Sequence, residues 1–177
     1  MIALPKQTIL ARITMTKLLL CLLLLQSLTT TQTEGWIRLE PEGAGFSVMM
    51  PAKPVEHVSR KKKLTLHAFI AQVGNEMYVA NYSDYLQPRT ATLDEGLQAE
   101  RDNFNAGIKA TLVNSRSITQ AGLQGLDFTS ETTGAVVHGK VFLKGQRVFM
   151  IVALVPKDVD QTKTIQTFID SLTFTEQ

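Results

Sequence analysis

The sequence predicts an α+β fold, in which a largely antiparallel sheet of about six to seven strands is layered between helices. Residues 111–155 contain four strand-length segments at nearly even spacing, separated by glycine-containing turns, as in an antiparallel meander. Residues 92–109 have the cap and the apolar period of an amphipathic helix. Val148–Val155 is apolar at every position, so this strand should lie near the middle of the sheet and be covered on both faces.

Residues 1–33 have the composition of a secretory signal peptide, with Met15 as an alternative start. The apolar run Leu18–Leu25 follows Lys17 and precedes the small polar residues 26–31, which is the order found in cleavable signals. Its eight residues reach only ~12 Å as a helix, whereas a hydrocarbon core is ~30 Å thick. We therefore expect a protein exported to the periplasm or the cell exterior, with no permanent membrane span after cleavage.

The single cysteine, Cys21, lies in the apolar run and has two interpretations. It is either a lipid-modified cysteine or a bystander lost with the signal, and Leu20 favours the second because lipid processing prefers a small residue there. Cleavage after residue 33 leaves 144 residues with 15 basic and 16 acidic side chains, a net charge of −1. Nucleic-acid binding is not supported, since it needs a broad excess of basic residues.

The single domain that follows, residues 34–177, begins with predicted strands. They are Trp36–Leu39, Phe46–Met50, Leu64–Val73 and Glu76–Asp84, with a turn over Pro41–Gly45. Pro51 and Pro54 end the second strand. Gly74–Asn75 joins the last two as a two-residue hairpin connection, because glycine tolerates positive φ.

The clearest predicted helix runs from Thr92 to about Lys109. Thr92 and Glu95 form a capping box, in which the threonine hydroxyl and the glutamate carboxylate each satisfy a free backbone amide of the first turn. The apolar residues predicted to share one face of this helix are Leu93, Leu97, Phe104 and Ile108.

The C-terminal half continues with the meander and a second helix. Its predicted strands are Thr111–Thr119, Leu123–Thr132, Ala135–Lys144 and Arg147–Val155, and its helix is Val159–Leu172 with Asp158 as a possible cap. The apolar face of this helix consists of Ile165, Phe168, Ile169 and Leu172. Because the strand Val148–Val155 should be covered on both faces, we expect either that the two helices lie on different surfaces or that one helix and a long loop provide the cover.

The hairpin register suggests one candidate binding or catalytic face. If Val73 faces Glu76, the residues that share one side of the hairpin are Thr65, His67, Tyr82 and Asp84. A histidine oriented by a carboxylate is the usual form of a general base, so a hydrolase-type enzyme is one hypothesis. The same residues also suit a polar, solvent-facing side of a hairpin, and the sequence favours that interpretation.

Two further groups of residues suggest surfaces. The only run of charge, Arg60, Lys61, Lys62 and Lys63, would suit an anionic surface such as lipid headgroups, or a solvated loop that discourages edge pairing. The aromatic residues Phe69, Tyr78, Tyr82 and Tyr85 would suit either a binding strip or core packing under a second layer.

No motif predicts a metal or a cofactor. The three histidines, His57, His67 and His138, are not spaced as zinc ligands, either from one another or from a second ligand. The sequence contains neither a G-x-G-x-x-G nor a G-x-x-x-x-G-K-[ST] pattern, so nothing indicates a nucleotide site. It also lacks the G-x-S-x-G nucleophile motif of hydrolases.

The order of motifs resembles that of a group of small exported bacterial domains with a PsbP-like fold. The resemblance rests on Trp36, on Phe46-Ser47-Val48 and the Met50-Pro51-x-x-Pro54 stop, on Tyr82-Ser83-Asp84-Tyr85, and on the terminal segment Phe168–Phe174. It covers nearly all of the domain and implies an antiparallel sheet layered between helices, a PsbP-like α/β/α sandwich. It brings no catalytic residues and no metal site.

The sequence therefore favours an exported, non-enzymatic envelope domain that binds a protein partner or a small ligand, with no cofactor. Two alternatives remain open. One is a hydrolase-type enzyme that uses His67, Tyr82 and Asp84, and the other is an anionic-surface binder that uses Arg60–Lys63.

Overall fold

The computed structural model describes residues 35–88, 90–158 and 162–175. The predicted signal peptide, including Cys21, lies outside these residues. The strands are β1 (Ile37–Leu39), β2 (Phe46–Met50), β3 (Val55–Lys61), β4 (Leu64–Val73), β5 (Glu76–Tyr85), β6 (Thr111–Gln120), β7 (Leu123–Glu131), β8 (Ala135–Lys144), β9 (Arg147–Pro156) and β10 (Thr173–Phe174). The helices are α1 (Leu93–Ile108) and α2 (Thr162–Asp170).

Seven strands form one antiparallel sheet in the order β3-β4-β5-β9-β8-β7-β6. The fold class is therefore α+β, as predicted. The strands β6 to β9 form the expected meander, and β9 then pairs with β5 to join the meander to the N-terminal hairpins. A small three-stranded sheet, β1-β2-β10, accompanies the main sheet, and β2 is its middle strand.

Strand β9 lies at the centre of the main sheet and is covered on both faces, as its apolar sequence predicts. Met150 and Val152 point into one core, which we call the α1 face, together with Leu97 of α1. Phe149 and Ile151 point into the other core, the α2 face. The α2 face is covered by helix α2 and by the small sheet, so the two helices lie on opposite surfaces, one of the two arrangements expected.

Helix α1 has the predicted capping box. The amide of Glu95 donates to Thr92 Oγ1 at 3.3 Å, and the amide of Thr92 donates to Glu95 Oε2 at 2.9 Å. The hydrogen bonds from this amide and from the Thr92 hydroxyl lower the pKa of Glu95. At the other end, Lys109 adopts a left-handed conformation with φ of 56°, which ends the helix after Ile108.

The predicted apolar face of α1 is partly wrong. Leu93, in the first turn of the helix, is 42% exposed, whereas Leu97, one turn later, is buried. The inward positions one and two turns after Leu97 are held by the polar residues Arg101 and Asn105, both buried. Arg101 is accommodated there by a hydrogen bond of 3.0 Å to the hydroxyl of Ser115.

Three other elements differ from the prediction. Residues 55–61 form the edge strand β3, for which no strand was predicted, and β10 is a short additional strand. The second helix is described from Thr162 and ends at Asp170, two residues before the predicted end at Leu172. Its predicted residues 159–161 lie outside the described part of the chain, so the cap at Asp158 stays a prediction. Strand β3 escaped prediction because nearly all its positions are exposed, which removes the apolar alternation that marks a strand.

Candidate functional site

A groove lies along the flank of α1, on the α1 face of the main sheet, above strands β3, β4 and β5. It forms because α1 packs against β7 and β8 and leaves the strands on the far side of β9 uncovered. Its volume is about 620 Å³, within the ~300–1,000 Å³ typical of sites that bind small molecules. From Asn81 to Tyr85 it runs along β5 for ~13 Å, at about 3.3 Å per residue.

The floor and the helical wall of the groove are largely apolar. Strand β4 supplies half-buried leucines, α1 supplies an aromatic and an aliphatic side chain, and β9 supplies a buried methionine. These residues are Leu64, Leu66, Phe104, Ile108 and Met150. Burial of apolar surface is the main source of affinity at such sites.

Uncharged polar side chains also line the groove, and they have no hydrogen-bond partners among the residues that the structure describes. They are Ser59, Asn81, Ser83 and Asn103. None of the four makes a side-chain hydrogen bond within the described part of the chain. A concave apolar surface with a few convergent polar groups is the usual form of a ligand site.

One end of the groove carries its charged groups. Lys61, Leu64 and Tyr85 form a row across β3, β4 and β5, since Leu64 is the register partner of both of the others. The hydroxyl of Tyr85 donates to Glu100 Oε1 at 2.6 Å, so that carboxylate is engaged within the protein. The exposed Lys61 ammonium makes no ion pair with any residue that the structure describes.

The four residues predicted to share a hairpin face do so, but on the α2 face rather than in the groove. His67 is the register partner of Tyr82, and Thr65 is that of Asp84, as the hairpin connection predicts. The imidazole of His67 stacks on the ring of Tyr82, with 4.6 Å between ring centroids and an interplanar angle of 2°. Tyr82 is buried, so the stack forms part of the packed interior.

The structure does not bring His67 and Asp84 together as a base and its orienting carboxylate. Nδ1 of His67 bonds Glu56 Oε1 at 2.9 Å. Both oxygens of Asp84 accept hydrogen bonds from Arg147, at 2.6 Å from Nε and 2.8 Å from Nη2. Glu56 lies on β3, so the carboxylate beside His67 was missed with that strand.

Arg147 also lies over the ring of Tyr82, with 4.9 Å from its guanidinium carbon to the ring centroid. Burial raises the pKa of Tyr82, although the Arg147 charge opposes this, and the hydrogen bonds to Asp84 raise the pKa of Arg147. Around neutral pH the phenol therefore stays neutral and the guanidinium stays charged. Asp84 and Arg147 thus form a fully hydrogen-bonded ion pair, which packs on the ring of Tyr82.

The basic run lies on the free edge of the sheet. Arg60 and Lys61 are the last residues of β3, and Lys62 and Lys63 form the turn into β4. The prediction of a loop is therefore wrong for the first two. All four side chains are exposed and make no ion pair within the described residues, an arrangement that also discourages edge-to-edge pairing of strands.

The aromatic residues do not form an exposed strip. Tyr78, Phe69 and Tyr82 are all buried on the α2 face, where they pack beneath the small sheet and α2. Burial, together with the hydrogen bond to Glu76, raises the pKa of Tyr78. Tyr85 points to the opposite face. Core packing therefore accounts for the first three.

A smaller polar cavity of about 230 Å³ lies between α2 and strands β6, β7 and β8. Arg116 Nη2 pairs with Asp127 Oδ2 at 2.6 Å, and Lys140 Nζ lies 3.4 Å from Asp170 Oδ1. Lys140 also donates to the carbonyl of Ile169 at 3.3 Å, so it satisfies the last turn of α2. The charged groups of this cavity are thus paired with one another.

His138, half-buried in the polar cavity, makes stability depend on pH. Burial lowers its pKa below the ordinary 6.5, and the nearby Asp127 only partly opposes this. Below pH 6.5 the unfolded chain therefore binds a proton that the folded chain does not, and stability falls as the pH falls. Between pH 7.5 and pH 5, the free energy of unfolding of the wild type should fall by up to about 1 kcal/mol more than that of His138→Gln.

The measurement is urea unfolding of the wild type and of His138→Gln at both pH values. His57→Gln, a substitution at an exposed position of β3, is the control and should keep the wild-type difference. Equal pH differences in the wild type and in His138→Gln would contradict the assignment.

The described residues contain neither a metal site nor a membrane-spanning helix. No group of three or more His, Cys, Asp and Glu side chains among them is arranged to hold a metal ion. Within the same residues, no helix combines the length and the apolar composition needed to cross a membrane.

The arrangement of elements matches a known structure. The solution structure of cyanobacterial PsbP (CyanoP) from Synechocystis sp. PCC 6803 superposes with a TM-score of 0.58, covering 85% of this chain and 98% of that one. The fold is PsbP-like. At 11% sequence identity the match establishes the PsbP-like fold alone, and it agrees with the resemblance seen in the order of motifs.

A second match is a crystal structure from Bacteroides thetaiotaomicron VPI-5482, with 15% identity over 79% of this chain and 48% of that one. Its TM-score of 0.37 is too low to support an argument. No family model matches the sequence, and no curated protein matches it either.

Proposed function

We propose that the chain is an exported, non-enzymatic binding domain of the cell envelope, whose ligand lies in the groove between α1 and strands β3–β5. The observation that carries the proposal is the groove itself. It combines an apolar floor with four uncharged polar side chains whose hydrogen bonds are unused within the described residues. The apolar run Leu18–Leu25, with its basic and polar flanks, supports export.

The groove suits an elongated small ligand with an apolar side. Each ~100 Å² of apolar surface removed from water contributes ~2.5 kcal/mol, so contact with Leu64, Leu66 and Phe104 provides the affinity. The polar side chains, Asn81 and Ser83 among them, then select ligands that hydrogen-bond along the floor.

The first test is binding of N-phenyl-1-naphthylamine, an uncharged apolar dye that fluoresces in apolar surroundings. Leu66→Arg places a charge on the floor and should weaken dye binding at least fivefold. The control is Val113→Arg, at an exposed apolar position on the opposite edge strand, which should leave dye binding unchanged. Circular dichroism and thermal melting check that each variant is folded.

A third variant, His67→Ala, separates the binding domain from the enzyme hypothesis. Because His67 lies on the α2 face, dye binding in the groove should be retained. Equal dye binding by Leu66→Arg and the wild type would reject the groove. A hydrolytic activity of the wild type that is lost in His67→Ala would favour the enzyme hypothesis instead.

A further inference from the structure

We infer that the groove ligand is a short extended peptide of about four residues, whose C-terminal carboxylate lies against Lys61. The inference rests on the proposed function, because it names the class of ligand for the same groove. Three features carry it: the charge at one end, the polar groups along the floor, and the length.

Lys61 gives the groove a positive end. It is the cation among the lining residues, and it makes no ion pair within the described chain. Its neighbours Arg60, Lys62 and Lys63 are likewise unpaired there and add to the positive potential. The acid at this end, Glu100, accepts the hydroxyl of Tyr85, which reduces its competition for the lysine.

The floor favours a peptide over an alkyl chain. An alkyl chain would cover Asn81 and Ser83 and leave their hydrogen-bonding groups without partners, which costs free energy. A peptide presents an N–H and a C=O at each residue and can pair with them. Its alternate side chains can then pack on the leucines of β4.

The strand and the helix that line the groove give it a similar length. The five residues Asn81 to Tyr85 of β5 span ~13 Å, and the eight steps from Glu100 to Ile108 of α1 span ~12 Å. An extended peptide advances about 3.3 Å per residue, so about four residues fill the groove.

The experiment compares two forms of one tetrapeptide, acetyl-Leu-Ala-Leu-Ala, with a free C-terminal carboxylate or with a C-terminal amide. Calorimetry at low salt measures both with the wild type, Lys61→Met and Lys62→Met. We expect the acid to bind about three- to tenfold more tightly than the amide in the wild type and in Lys62→Met. In Lys61→Met the two forms should bind equally.

Each other outcome overturns a defined part of the inference. A preference for the acid that persists in Lys61→Met, or that weakens equally in both lysine variants, rejects the contact with Lys61. Tighter binding of dodecanoate than of the peptide rejects a peptide ligand, and binding of vesicles of anionic lipid without binding of the peptide rejects it in favour of a membrane surface.

The dye experiment keeps this inference separate from the proposed function. Dye binding that is sensitive to Leu66→Arg, with no binding of either peptide, rejects only the inference. Absence of both dye and peptide binding rejects the groove as a site.

Discussion

Replacing Gly139 with alanine is expected to destabilise the domain by more than about 3 kcal/mol, a large fraction of the ~5–15 kcal/mol by which a domain is normally stable. The new Cβ would lie at 3.0 Å or less from three atoms of the Phe128 ring. That ring is only 1% exposed and is held in the core of the α1 face, so it has no space into which to move. Relief of the clash would require the two strands to separate.

The clash arises from a pairing that occurs twice between β7 and β8. Phe128 is the register partner of Gly139 on one face of the sheet, and Phe142 is that of Gly125 on the other. In each pair the aromatic ring occupies the space that a side chain on the glycine would need. The ring packs over the glycine, which has no side chain of its own, and leaves no room for a larger residue at that position.

The test is the free energy of unfolding in urea, followed by circular dichroism. Gly134→Ala is the matched control, because it lies in the turn between the same strands and its added Cβ would meet no atom within 4 Å. This control should change stability by less than about 0.5 kcal/mol. Adding Phe128→Leu to Gly139→Ala should recover part of the loss, since the shorter side chain vacates the contested space.

An unfolding free energy of Gly139→Ala within about 1 kcal/mol of the wild type would contradict this account. So would a double variant in which the two losses simply add, because independent sites show no coupling.

The register of the hairpins was predictable from sequence, whereas the partners across the sheet were not. Gly74–Asn75 fixes β4 against β5, so His67 and Tyr82 could be paired by counting from the turn. Arg147 reaches Asp84 only because β9 returns beside β5 from 63 residues away, and no local pattern encodes that pairing. Glu56 was missed because its strand is exposed on nearly all sides.

The groove likewise depends on contacts between elements that are distant in the sequence. Its lining comes from β3, β4, β5, β9 and α1, and it exists because α1 covers one half of its sheet face and not the other. Helix periodicity predicted an inward stripe, yet it could not show that Arg101 and Asn105 would share that stripe. The amide atoms of Asn105 are buried with no partner among the described residues, an exception that an apolar pattern cannot anticipate.

Replacing Arg147 with methionine is expected to destabilise the domain by about 2–4 kcal/mol. The guanidinium bonds both oxygens of Asp84, and its Nη1 also donates to the carbonyls of Gly43 at 2.6 Å and Ala44 at 3.0 Å. It thereby ties the turn between β1 and β2 to the centre of the main sheet. Methionine keeps much of the packing but leaves the carboxylate and both carbonyls without their donor.

A double-mutant cycle separates the ion pair from the tie to the turn. Arg147→Met, Asp84→Asn and the combined variant are unfolded in urea, and we expect a coupling of about 1.5–3 kcal/mol between the two sites. Arg147→Lys is the matched control for charge, because lysine keeps the cation but not the planar fork that bonds two carboxylate oxygens. It should recover less than half of the loss, since the three donors on one nitrogen cannot replace the four hydrogen bonds that three guanidinium nitrogens make to Asp84 and to the two turn carbonyls. Full recovery by lysine would show that charge alone matters here, and the geometric tie between the small sheet and β9 would then be wrong.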